Sequence, residues 1–225
     1  MDIDLNYVKK GEGETLILLH GNGEDLSYFV NQIDFFSQYF TVYALDSRSH
    51  GSSDRGEGEL TLDRMSDDLY AFCVSHDISK ANILGFSDGA NIALLFAIKH
   101  PKMVERLILN GGNLFPMGLK PNVLNEIASD YYRIKDKPER IREKELLRLM
   151  LYEPNIKPDA LKSIMAPSLV VVGKDDMIRR KHSKLISSSL QKGKMIELEG
   201  NHFVAYDNPG AFNKTVIDFL LDKDC

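Results

Sequence analysis

Cysteine is almost missing from this chain of 225 residues: Cys73 sits inside a helical pattern and Cys225 stands last. Two thiols so placed exclude a disulfide framework and a cysteine zinc site, and both are expected to be unpaired. Long blocks of like charge are also missing, and the net charge is a modest −5, so there is no footprint for nucleic acid or an anionic membrane. No apolar run reaches the roughly 18 residues of a membrane span. The acidic start, "MDIDLNYVKK", lacks the basic-then-apolar layout of a signal peptide, so a cytoplasmic protein is expected. Nothing resembles a glycine-rich phosphate loop or a dinucleotide fingerprint, and no histidines and acids converge at metal-ligand spacing. No cofactor or metal is therefore expected, and the partner expected is a small molecule.

A chain of this length with 43% hydrophobic residues can bury one sizeable α/β core and still carry an insertion. Short apolar runs, "TLILLH", "TVYALD", "ANILGF", "RLILNG", "SLVVVG" and "MIELEG", alternate with amphipathic stretches, which predicts a largely parallel sheet covered on both faces. Leu62, Met65, Leu69 and Phe72 repeat at helical spacing behind a Thr61 cap, and Phe212, Val216, Phe219 and Leu220 do so near the C-terminus. "IDLNYVKKGEGE" reads as a hairpin or an edge strand. Residues 113–165 carry no convincing strand and leave the sheet after a strand's C-terminal end, where ligands bind in open α/β sheets. They are expected to form a helical cap on a core built from residues 1–112 and 166–225. The charge run around Pro138 reads as a solvated helix face.

The stretch "ANILGFSDGANIALLFAIKH" puts Ser87 between a strand and a helix, inside a GxSxG pattern. Glycines at 85 and 89 let strand and helix approach closely enough to hold the serine in a sharp, strained turn, the nucleophile elbow. A serine hydroxyl needs a base, and the base an orienting acid. "SLVVVGKDDMI" ends a strand with Asp175 and Asp176, and "MIELEGNHFV" ends the next with His202. Among the other histidines, His20 and His50 read as loop organisers, His76 and His100 as helix-end residues suited to partial positive charge, and His182 as surface.

Four motifs, "HGNG", "DSRSHGSS", "GFSDG" and the pair "GKDD" with "GNH", occur in the order found in α/β-hydrolases, and the whole chain resembles that superfamily. It is most similar to the capped esterase and lactonase-like branch related to biphenyl-hydrolase-like and valacyclovir-hydrolysing serine hydrolases. The resemblance implies the α/β-hydrolase fold and a triad of Ser87, His202 and Asp176, the acid standing three residues after Gly173. It also implies an oxyanion hole from the backbone N–H groups of Asn22 and Asp88. Where the family usually has glycine, this chain has Ser49, a departure expected to touch only the loop.

The expected reaction is hydrolysis of a small carboxylic ester, lactone or thioester through an acyl-enzyme. The same triad serves carbon–carbon, amide or peracid chemistry, and the fold also serves as a noncatalytic ligand receptor. Acyl preference is expected to follow how Leu114, Phe115, Met117 and Leu119 pack above Ser87, and an Asp88 carboxylate facing the pocket would favour substrates carrying an amine.

Overall fold

The computed structural model describes residues 3–222, so Cys225 lies outside the described residues. Seven strands form one sheet: β1 (Tyr7–Lys10), β2 (Thr15–Leu19), β3 (Thr41–Leu45), β4 (Ala81–Phe86), β5 (Val104–Asn110), β6 (Ser168–Gly173) and β7 (Gly193–Leu198). Their spatial order is β1-β3-β2-β4-β5-β6-β7, with every pair parallel except β1 against β3. The N-terminal segment is thus an edge strand on β3 and makes no hairpin with β2.

The helices are α1 (Val30–Phe36), α2 (Leu62–Ser75), α3 (Asp88–Lys99), α4 (Pro121–Ile134), α5 (Ile141–Tyr152), α6 (Arg180–Ser189), α7 (Val204–Asp207) and α8 (Pro209–Leu221). Because successive strand residues point to opposite faces, β2 divides its side chains between two cores. Ile17 and Leu19 pack with Leu62, Met65, Leu69 and Phe72 of α2, whereas Leu16 and Leu18 pack with Phe36 of α1 and Phe212 and Val216 of α8. The Thr61 side chain caps α2 by accepting the Arg64 N–H. Cys73 is buried in the first core, which pushes its thiol up to about 12 and leaves it inert.

Between β5 and β6 lie α4, α5 and short 3₁₀ turns, with no strand among the described residues. The charges on α5 do more than meet solvent. Glu145 pairs with Arg55, Arg148 with Glu59, and the Glu153 carboxylate accepts the Leu62 N–H at 2.8 Å, tying this segment to the loop before α2. His182 also departs from expectation. It is 4% exposed, because α6 packs against the chain leaving β5, where His182 Nε2 accepts the Leu114 N–H at 2.9 Å. His76 and His100 do cap helix ends, but burial and then Lys99 lower the His100 pKa, so a positive charge is not what places it there.

Candidate active site

Strand β4 is buried along its whole length and feeds directly into Ser87. The serine has φ 52° and ψ −117°, a conformation that L-residues occupy only where the surroundings impose it. Two glycines allow the surroundings to do so. A Cβ on Gly85 would stand 2.3 Å from the Gly89 carbonyl oxygen, and one on Gly89 would stand 2.0 Å from that of Leu19. Strand and helix touch there with no side chain between them, and the Ser87 N–H is held by the Asn110 carbonyl at 2.8 Å.

Ser87 Oγ lies 3.0 Å from His202 Nε2, and His202 Nδ1 lies 2.7 Å from Asp176 Oδ1. A carboxylate accepts from Nδ1–H, which leaves the Nε2 lone pair facing the serine hydroxyl. His202 follows β7 and Asp176 follows β6, so three strand ends converge on one point. Asp176 is 3% exposed and its Oδ1 also accepts the Ile178 N–H at 2.8 Å, while Asp175 faces solvent.

The loop after β2 is held from several sides. Ser47 N–H donates to His20 Nε2 at 3.0 Å, so the ring proton sits on Nδ1, 2.8 Å from the Gly21 carbonyl. Burial, helped by the neighbouring His50, lowers His20 to about 4 and keeps it neutral. His50 is likewise buried, with Nδ1 on the Arg48 carbonyl. Arg48 itself is 1% exposed and meets Asp68 of α2 through two charge-assisted bonds of 2.7 and 2.6 Å. In the same loop Ser49 adopts φ 66°.

Asn22 donates its side-chain amide to Asp88 Oδ2 at 2.9 Å and to the Leu146 carbonyl of α5 at 3.1 Å. Asn91 donates to Asp88 Oδ1 at 3.1 Å and to Asn113 Oδ1 at 3.0 Å. Among the described residues, the backbone N–H groups of Asn22 and Asp88 have no partner. The Asp88 carboxylate is buried, which raises its pKa, while the two asparagines pull the other way.

A small cavity opens beside Ser87, bordered by the polar residues Asp88, Asn113 and Glu153. Leu119, Met150, Met177 and Ile178 supply its apolar wall. Of the four apolar residues expected above the serine, only Leu119 is in that wall. Leu114 is fully buried in the core shared with α2, because the chain leaving β5 packs inward before turning outward. Phe115 packs its ring edge-on to His182, and Met117 is 60% exposed. Sequence reasoning missed Asn91, Asn113 and Glu153. Asn91 carries a readable signal, since it stands three residues after Asp88 on the same helix face. Asn113, just after β5, and Glu153, just after α5, have none.

Residues 14–151 match the α/β hydrolase fold family. The chain is 28% identical to the human serine hydrolase BPHL (Homo sapiens), over 97% of this chain and 83% of that one. It is 34% identical to a probable alcohol acetyltransferase of Cyberlindnera jadinii over a shorter stretch, 44% of this chain and 28% of that protein. The enol-lactonase of Burkholderia xenovorans superposes with a TM-score of 0.84, covering 98% of this chain and 97% of that one at 21% identity.

Proposed function

Since the chain belongs to the α/β-hydrolase family and is a hydrolase of that fold, we propose that it cleaves a small carboxylic ester, lactone or thioester through an acyl-enzyme on Ser87. The observation that carries this reading is the unbroken chain from Ser87 Oγ through His202 to Asp176, with the serine in its strained turn. In the proposed cycle His202 takes the serine proton as the hydroxyl attacks, and Asp176 holds the ring and stabilises the imidazolium. The N–H groups of Asn22 and Asp88 receive the oxyanion, aided by the positive end of α3. His202 then returns its proton to the leaving group and activates water for the second half. The segment 113–165 acts as the cap: Leu146 meets Asn22, and Met150 and Glu153 border the cavity. The small size of that cavity supports a small acyl group.

A fluorophosphonate probe should label Ser87 in the purified protein, and Ser87→Ala should remove both labelling and hydrolysis of p-nitrophenyl acetate while the fold survives. Labelling of another residue, or an active mutant, would sink the mechanism. A receptor built on the same fold would show little turnover in the wild-type chain.

Two carboxylates in one cavity favour a narrower reading, in which the substrate carries an amine. Burial raises both Asp88 and Glu153, and an ammonium group between them would restore their ionised forms. Asp88→Asn and Glu153→Gln should each reduce the preference for amino-acid esters over neutral esters. An unchanged preference in both would leave Asp88 as a support for Asn22 and nothing more.

A further inference from the structure

Glu24 stands two residues beyond Asn22. Its Oε2 accepts the Gly21 N–H at 3.1 Å, and its own backbone N–H reaches back to the Gly21 carbonyl at 3.4 Å. The carboxyl lies directly on the loop, since a Cβ on Gly21 would be 3.0 Å from Oε2 and 3.1 Å from the Phe86 ring. With His20 Nδ1–H also on the Gly21 carbonyl, both peptide units that meet at Gly21 are pinned, the first through its N–H and the second through its oxygen. That second unit carries the Asn22 N–H. An amide N–H aimed at a developing charge works only if its plane is fixed beforehand, because reorienting it during reaction forfeits the stabilisation.

Burial raises Glu24 to about 7, and of the charged or titratable groups facing it, His202 lowers it while Asp25 opposes. The Tyr28 hydroxyl also feels it.

Resting on the serine-hydrolase reading above, we propose that Glu24 is a positioning residue, whose carboxyl oxygen clamps Gly21 so that the Asn22 N–H is aimed at the oxyanion. The clamp depends on an acceptor oxygen at this reach. Glu24→Gln keeps the oxygen and the length, Glu24→Asp keeps the charge but withdraws the oxygen by one methylene, and Glu24→Ala removes both.

The test is steady-state hydrolysis of p-nitrophenyl acetate by the full chain and these three variants, each checked for folding by thermal melting. Losing an oxyanion donor outright costs about 10²- to 10³-fold, so misaiming one should lower kcat by about 10- to 100-fold in the Ala and Asp variants, with KM within about twofold. Glu24→Gln should recover most of kcat. Should Glu24→Ala not fold, the Gln and Asp pair decides alone. Equal impairment of Gln and Asp, the reverse ranking, or full activity in Glu24→Ala would overturn the clamp. The serine mechanism fails separately, if the wild-type chain is not labelled by fluorophosphonate or Ser87→Ala retains its activity.

Discussion

Asp176 Oδ1 lies 2.7 Å from His202 Nδ1, and the Ile178 N–H holds the same oxygen at 2.8 Å, so the acid is fixed from behind as it faces the ring. Asp175, its chain neighbour, is exposed. Asp176→Asn removes the charge that stabilises the imidazolium and can favour the wrong tautomer, a loss of up to about 10⁴ in turnover in the serine-protease precedent. Asp175→Asn should keep most of the activity. The ranking of kcat in the two folded mutants checks the assignment, and the reverse ranking would move it to Asp175.

A base that takes the serine proton needs a free Nε2, so on the proposed mechanism kcat/KM should fall on the acid side. The rate constant of the pre-steady-state p-nitrophenol burst should fall over the same range, because acylation needs the free Nε2 as deacylation does. A rate that stays level on the acid side, in protein that remains folded, would remove His202 from that role.

Ser49 stands at φ 66° in the loop between β3 and α2, a backbone region that favours glycine. Left-handed backbone costs an L-residue about 1–2 kcal/mol, and glycine returns about 0.5–1 kcal/mol of that as extra entropy in the unfolded chain. Ser49→Gly should therefore stabilise the protein slightly, by about 0.5–1 kcal/mol in urea melts, with kcat unchanged. A destabilised variant would mean the serine side chain earns its place by contacts of its own.

What could be read from the sequence was local. Strand runs, the Thr61 cap and the serine between Gly85 and Gly89 depend on residues within a few positions of one another, where period and punctuation speak directly. Asp176 and His202 could be singled out as candidates because each follows its own strand. The cavity was not: Leu119 lines it while Leu114 and Met117 do not, a difference set by how the chain turns after β5 rather than by polarity. Arg48 shows the same limit. A loop arginine is expected outside, and its burial depends on Asp68, twenty positions on by number and across the loop in space. His182 sat among charged neighbours, where composition argues for solvent and only tertiary contact argues otherwise.

The buried His182 makes a prediction whose sign can be worked out. Its Nε2 accepts the Leu114 N–H, which only the neutral ring can do, and burial, reinforced by Arg179, lowers its pKa from 6.5 to about 4. In the unfolded chain the ring titrates near its ordinary value. Above about pH 6.5 both states are neutral and the contribution is fully present; as pH falls below that, the unfolded state gains a proton that the folded state refuses, and stability is lost. From pH 7 to pH 5 the loss attributable to this ring is about 2 kcal/mol. His20 acts in the same direction, and the raised carboxyls of Glu24 and Asp88 act in the opposite one, so the wild-type slope alone does not isolate His182. His182→Asn does. The variant should be less stable than wild type at pH 7, where the Leu114 bond is lost or weakened, and the gap should narrow by about 2 kcal/mol at pH 5 because asparagine takes up no proton. Urea unfolding of both proteins at the two pH values measures that gap, and a gap that stays constant would show that His182 is not held neutral by the fold.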